Sequence, residues 1–261
     1  MVIRLLAPAK LTLSLRVTDV RDDGFHLIDA EMVSLDLADE LDVTEMHAPA
    51  AAGVAPDESP SEELTIVDAA TGAPHPVDAG PDNLVCRALA LVGRRASVHL
   101  RKRIPAGAGL GGGSSDAAAI LRWAGWTDLG AAARLGADVP YCVVGGRARV
   151  RGIGELVDPL PFEARTLTLL TPPFGCSTPA VYRAWDELGG PTADGPNDLE
   201  VAALHVEPRL AEYRDRLGAV SGQTPRLAGS GSTWFVDGAH PGPGHVVAAT
   251  IPSGWARRGL G

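Results

Sequence analysis

Residues 2–6 and 11–17 alternate apolar and polar side chains and are rich in β-favouring types, which predicts two strands flanking a kink at Pro8. A turn at Arg21-Asp22-Asp23-Gly24 leads to extended stretches over 31–37 and 40–44. Residues 47–63 carry no apolar period and read as a surface loop. The pattern returns as a strand at 64–67, then as an amphipathic helix over 82–92 beginning at Asp82 or Asn83. A strand at 98–104 runs into a glycine-rich loop from Pro105 to Gly113, and a helix follows from Ser114 to Trp123 with cap-type serines at its start. A short helix near 130–135 precedes strands at 141–144 and 148–151 around the turn Gly145-Gly146. After a pause at 159–161 a second unit begins. It holds a strand at 166–170, helices near 179–188 and 198–204, a strand at 225–228, a loop at 229–232 and a strand at 233–236. Strands and helices mix without regular βαβα alternation, which predicts an α+β fold, with an N-terminal domain over 1–158 and a C-terminal domain over 159–261.

Composition narrows the function classes. Of 261 residues 45% are hydrophobic and 21% charged, the profile of a globular protein with a core. The formal net charge of −9 repels phosphate backbones and argues against a nucleic-acid binder. Only Lys10 and Lys102 are lysines; every other side-chain cation apart from histidine is Arg. Under such a bias a generic surface cation drifts to Arg, so the two survivors mark places that need a compact ammonium. Cys86, Cys142 and Cys176 form no CxxC or Cys/His cluster, so neither a disulfide framework nor a protein-built metal site is expected. The N-terminus lacks the apolar region of a signal peptide and no run of about 18 apolar residues occurs. The expectation is a cytoplasmic protein with no membrane contact. Oligomeric state leaves no mark and stays open between monomer and weak homodimer.

The densest chemical signal is Pro105-Ala-Gly-Ala-Gly-Leu-Gly-Gly-Gly-Ser-Ser-Asp116. Its glycines at 107, 109, 111, 112 and 113 let the backbone approach a ligand and turn successive amides inward, while the following helix aims its free N–H groups at the same spot. Ser114 and Ser115 add hydroxyl donors, and phosphate is the natural guest. A Walker loop would need Lys after the last glycine, and Gly113 is followed by Ser. Gly107-x-Gly109-x-x-Gly112 matches the dinucleotide pattern, with Asp128 at the distance of a ribose-binding acid, but Asp128 lies at no strand end.

The loop resembles the ATP-phosphate loop of the GHMP kinases. Further similar segments run through most of the chain: Ala7-Pro-Ala-Lys-Leu-Thr-Leu-Ser-Leu15, Arg21-Asp-Asp-Gly-Phe-His26, Asp82-Asn-Leu-Val85, Leu135-Gly-Ala-Asp-Val-Pro140, Arg151-Gly-Ile-Gly-Glu155, Ser177-Thr-Pro-Ala-Val-Tyr182, Asn197-Asp-Leu-Glu200 and Gly229-Ser-Gly-Ser-Thr233. In this order they are similar to the branch that phosphorylates an alcohol carrying a cytidine diphosphate. The resemblance implies an N-terminal ribosomal-protein-S5-domain-2-like half and a C-terminal ferredoxin-like half. It implies a small-molecule substrate of the cytidine diphosphate class, and ATP with Mg2+ held mainly by the phosphates. Asp138 then resembles the catalytic base and Lys10 its electrostatic partner; read alone, Asp138 is a helix N-cap before Val139-Pro140. Asn83, Lys102, Pro105, Gly107, Gly109, Leu110, Gly111, Gly112, Gly113, Ser114 and Ser115 resemble ATP-binding positions. Thr12, Phe25, His26, Asp138, Tyr182, Gly229 and Ser230 resemble the alcohol's site, with His26 reading the cytosine edge and Phe25 and Tyr182 sandwiching its ring. Thr12 stands where the family usually has Asn, and Phe25 where Tyr is commoner. Two other readings remain open: a GHMP kinase with a different small alcohol, and a catalytically silent nucleotide-binding module.

Overall fold

The two predicted N-terminal strands merge into one in the computed structural model, which describes residues 1–46 and 63–258. Strand β1 (Val2–Val20) pairs antiparallel along its length with β2 (His26–Glu45), which likewise absorbs both stretches predicted after the turn at Gly24. Pro8 does not break β1. It is accommodated by a register shift between Pro8 and Lys10, where the β2 partner jumps from Ala38 to Ser34, and bulges of this kind are where a strand tolerates proline.

Then follow β3 (Leu64–Asp68), α1 (Leu84–Val92), β4 (Ala96–Lys102), α2 (Gly112–Trp123), α3 (Leu129–Ala133), α4 (Val139–Val144), β5 (Arg147–Gly152) and β6 (Leu156–Pro159). The second unit contains β7 (Thr166–Leu170), α5 (Thr178–Glu187), α6 (Glu200–Val206), α7 (Leu210–Ser221), β8 (Arg226–Leu227), β9 (Trp234–Asp237), β10 (His245–Ile251) and α8 (Trp255–Arg258). The predicted loop at 47–63 falls, but for its last residue, outside the described residues.

One predicted strand is wrong: residues 139–144 form α4. The β-branched and aromatic Val139, Tyr141, Val143 and Val144 favour a strand, but Pro140 in the first turn, with Asp138 at the N-cap, starts a helix. The predicted start of α2 also moves. Gly111, left-handed at φ +66°, is the N-cap and forms no side-chain cap, so Ser114 and Ser115 lie inside the first turn.

Along its second edge β2 takes β5, then two residues of β10, then β4, which carries parallel β3. Strand β10 continues antiparallel onto β7, and β9 and β8 complete that flank. The pairs Thr250–Leu35 and Ile251–Ser34 therefore join two sheets into one surface. One core lies between the first sheet and α1, α2 and α4, with Leu41, Leu100, Ile120 and Tyr141 fully buried. A second cluster, with Leu11, Leu35, Ile104, Leu110 and Phe235, lies where the glycine loop meets the β7–β10 flank. Residues 7–13 of β1 are buried on both faces, so any polar side chain there faces a built cavity or a partner.

Candidate active site

Lys10 and Thr12 are two apart on β1 and so share a face, pointing opposite to the core side chains Leu11 and Leu13. Lys10 Nζ lies 3.1 Å from Asp138 Oδ2 and donates to Thr12 Oγ1 at 3.3 Å. Asp138 occupies the N-cap of α4 but spends its carboxylate on Lys10 rather than on the helix amides. Tyr141 anchors that helix, donating to the Gly146 carbonyl at 2.6 Å with Ser34 Oγ at 3.1 Å. On its other side the Asp138 loop rests on the β5–β6 turn, where Gly154 at φ +111° leaves no room for a Cβ against the Ala137 carbonyl.

The glycine loop is sewn to β1. Lys10 N donates to Leu110 O at 3.0 Å, and Ser115 Oγ to Pro8 O at 2.6 Å. A Cβ on Gly111 would lie 2.5 Å from Cγ of Lys10, so only glycine lets the lysine stem pass. The loop closes one wall of a 540 Å³ cavity lined by Asn83, Lys102, Pro105, Gly107, Gly109, Leu110, Gly111, Gly112, Gly113 and Ser114. A backbone cradle at the N-terminal end of α2 is suited to anionic phosphate.

Lys102 reaches this cavity from β4 as the centre of a buried triad. It donates to Asp39 at 2.5 Å and to Asp116 at 2.7 Å. Burial alone would lower its pKa, but Asp116 and Asp39 outweigh that and hold the ammonium charged. Burial pushes the Asp116 carboxyl well above its usual range against the pull of Lys102, and its Oδ1 has no hydrogen-bond partner. Asp39 also accepts from the amides of Arg103 and Ile104, which fixes the start of the loop. A Cβ on Gly112 would approach Lys102 Nζ to 3.1 Å, so the ammonium lies directly beneath the glycine loop.

A second cavity of 710 Å³ lies across the loop and shares Gly109 and Ser114 with the first. Lys10, Thr12, Phe25, His26, Asp138, Tyr182, Gly229 and Ser230 line it. His26 Nε2 is 2.8 Å from Asp186 Oδ1, and its ring lies 4.6 Å from Tyr182 and 5.6 Å from Trp185. Tyr182 thus faces His26, while Phe25 is half-exposed with the Arg21 guanidinium 5.9 Å from its ring. Ser230 Oγ is 2.7 Å from Thr178 Oγ1, and a Cβ on Gly229 would sit 3.6 Å from Thr12 Oγ1.

The residues expected at the site therefore converge on two adjoining cavities, with Lys10 and Asp138 in the second, with one exception. Ser115 is fully buried, gives its hydroxyl to Pro8, and lines neither cavity. Asn83 does line the first cavity, but it also caps α1 through Val85 N and donates to Asp78 O, leaving one amide hydrogen for a ligand. Sequence reasoning missed Asp39, Asp116 and Asp186. Asp186 had a signal, standing four residues after Tyr182 on one helix face. Asp39 had none, because it falls between the predicted stretches among the neighbouring acids Asp36, Glu40 and Asp42, and such a cluster reads as solvent-facing until the sheet covers it.

The chain matches the family model for the GHMP kinases N terminal domain over residues 83–146. It is 36% identical over 258 residues to the 4-diphosphocytidyl-2-C-methyl-D-erythritol kinase of Paracoccus denitrificans (strain Pd 1222), covering 88% of this chain and 84% of the relative. It is 34% identical over 301 residues to the kinase of that name from Ruegeria pomeroyi, covering 99% of both. Among solved structures, a 4-(cytidine 5'-diphospho)-2C-methyl-D-erythritol kinase superposes with a TM-score of 0.72 at 30% identity, over 95% of this chain and 99% of the other. A mevalonate kinase superposes at TM-score 0.53 with 11% identity, a likeness of fold.

Proposed function

This chain belongs to the 4-diphosphocytidyl-2-C-methyl-D-erythritol kinase family, a branch of the GHMP kinases, and from that premise we propose that it transfers the γ-phosphoryl of ATP to the 2-hydroxyl of 4-diphosphocytidyl-2-C-methyl-D-erythritol, in the non-mevalonate route to isoprenoids. The observation that carries this reading is the Lys10–Asp138 pair, 3.1 Å apart in the cavity lined by His26 and Tyr182, which adjoins the glycine-walled cavity at Gly109 and Ser114.

In this reading Asp138 accepts the proton of the alcohol as its oxygen attacks the γ-phosphorus. A new O–P bond forms, the bond to the β–γ bridging oxygen breaks, and ADP leaves with that electron pair. The Lys10 ammonium polarises the hydroxyl and neutralises charge on the moving phosphoryl. Thr12 holds Lys10 in place with a hydroxyl, doing with one group what an amide would do with two. The amides of 107–113 and the start of α2 take the β- and γ-phosphates, with Lys102 beneath them. Mg2+ bound to those phosphates supplies charge neutralisation. Ser114, which lines both cavities, is the residue of this chain that would help hold the ion alongside phosphate and water oxygens. His26, held by Asp186, presents its other ring nitrogen to the pyrimidine edge, with Phe25 and Tyr182 supplying stacking surface.

Coupled ADP-release assays with ATP, Mg2+ and the cytidylyl substrate test this on the wild type and Asp138→Asn. Turnover that requires the cytidylyl compound and falls by about 100-fold or more in the variant is expected, the scale of a lost general base. A wild type that binds ATP but releases no ADP with this substrate overturns the substrate assignment; an asparagine variant as fast as wild type overturns the role of Asp138.

A further inference from the structure

Of the segment Asn197-Asp198-Leu199-Glu200 only Leu199 reaches the acceptor cavity, yet all four residues are engaged where β1 meets β8. Asn197 is 3% exposed. Its Nδ2 donates to two carbonyls, Leu227 at 3.0 Å and Gly229 at 2.7 Å, and its Oδ1 accepts from Leu199 N at 3.0 Å. Both amide hydrogens and the carbonyl are thus used, in a place water does not reach. Asp198 holds the other side, accepting from Val17 N at 3.0 Å, Arg16 at 2.6 Å and Ala193 N at 2.9 Å. Backbone bonds at Leu15, to Pro196 O and from Asp198 N, lay the segment along β1 as a short extra rung. Leu199 is buried in the main core, and Glu200 receives the Leu227 amide.

These contacts close a ring. It runs from β1 through Asn197 to the Gly229 carbonyl, and Gly229, at φ +60°, faces the Thr12 hydroxyl beside Lys10 across the space a Cβ would take, 3.6 Å from that oxygen. We propose that Asn197 is a positioning residue, whose amide sets the height of the Gly229-Ser230 loop over Lys10 and Thr12 and so the approach of the alcohol to the phosphoryl group. The proposal rests on the kinase reading above for its effect on rate, but not for its effect on the loop. An amide is required because it offers two donors to two carbonyls and an acceptor to Leu199 N; a carboxylate would turn lone pairs toward both carbonyls.

That difference makes Asn197→Asp the informative variant. When ionised the new carboxyl repels Leu227 O and Gly229 O; once protonated it regains one donor. Other charges face the joint: Asp198 next to it in the chain, paired with Arg16 on β1, Glu200 on α6 against Leu227, and Lys10 with Asp138 across Thr12. All are shared by wild type and variant, so the ratio of the two isolates the substituted group. The enzyme is measured as wild type, Asn197→Asp and the milder Asn197→Ser, with folding checked by circular dichroism. kcat and KM are taken at pH 8 and pH 6, CDP affinity is measured by calorimetry, and hydrogen exchange is followed in the peptide covering 228–233.

For Asn197→Asp we expect kcat to fall roughly tenfold at pH 8, with CDP affinity unchanged and faster exchange at 228–233, and the deficit to shrink to roughly threefold at pH 6. Asn197→Ser should lie between, with one donor left and no pH-dependent recovery. A deficit equal at both pH values, or wild-type kcat and exchange in the folded variants, overturns the proposal. Where Asn197→Asp does not fold, Asn197→Ser decides: lower kcat and faster exchange support it, and unchanged values overturn it. Should wild type show neither CDP binding nor turnover, the substrate reading fails while exchange at 228–233 still judges the loop's dependence on Asn197.

Discussion

At the scale of single residues the two lysines divide the work by environment. The Lys10 stem threads past Gly111, and its ammonium serves Thr12 and Asp138 together. Lys10→Arg should therefore keep the charge yet lower kcat by at least about tenfold, since a planar guanidinium cannot occupy a point-charge site; steady-state kinetics at saturating substrates check this. Lys102 instead balances two buried carboxylates. Lys102→Met leaves both without a cation, and a urea titration at pH 7 should show a loss of about 3–5 kcal/mol. The sign of its pH dependence follows. Buried acids without a partner have folded pKa values above their unfolded ones, so the folded variant takes up protons as pH falls and the loss shrinks towards pH 5. A loss constant with pH would show that packing, not charge, was removed. Wild-type Asp116 already leans this way, its carboxyl raised by burial.

At the scale of elements, charge pairs pin the long strands. Asp42 on β2 accepts from Arg4, directly opposite on β1, at 2.8 Å and from Arg101, diagonally placed on β4, at 2.8 Å, which ties three neighbouring strands. The hydrogen bond from Arg4, followed by that from Arg101, holds its carboxyl at about 2 against an ordinary 3.8. A depressed acid stabilises the fold above its unfolded pKa and stops doing so as pH falls through the folded one. Asp42→Asn should thus cost about 1 kcal/mol at pH 7, after screening of the half-wet Arg4, and only a small part of that at pH 2; urea midpoints of both proteins at the two pH values read the difference. The strands carrying these pairs were legible as alternation, and the glycine loop as composition. Val139–Val144 was not, because β-branched residues there serve burial under the first sheet, and tertiary packing overrides propensity in so short a helix. Nor were α7 and β10 anticipated, although β10 carries the pairs that join the sheets. Lys10 and Asp138 lie far apart in the chain, and only resemblance put them together before the fold did. Asn197 acts through backbone carbonyls some 30 residues further on, and nothing local in a sequence marks such a role.

For the whole molecule the question is whether the regions on either side of residue 158 unfold as one. Only two residue pairs connect β10 to β2, yet the glycine loop bridges the same divide. Thr233 N donates to Ala108 O at 3.1 Å and Thr233 Oγ1 to the same oxygen at 2.8 Å. A Cβ on Gly109 would collide with the Gly231 carbonyl and lie 2.9 Å from Ala228 O. Both cavities use this contact, one on each side of Gly109. A ligand in either cavity should therefore stabilise the entire chain rather than one half. Thermal unfolding is expected as a single transition, raised by ATP alone and by CDP alone. At about 100 times Kd each would add about 2.7 kcal/mol, or roughly 5–10 °C for a chain of this size. Two transitions, each moved by one ligand only, would show instead that the units over 1–158 and 159–261 melt separately, and that the Gly109–Gly231 contact yields first. Gly109→Ala separates these outcomes further. It forces a side chain into the interface at φ +76°, so it should lower the melting temperature and weaken ATP and CDP binding together. If it weakened ATP alone, the loop would serve the phosphates only, and the two cavities would share a wall without sharing a response.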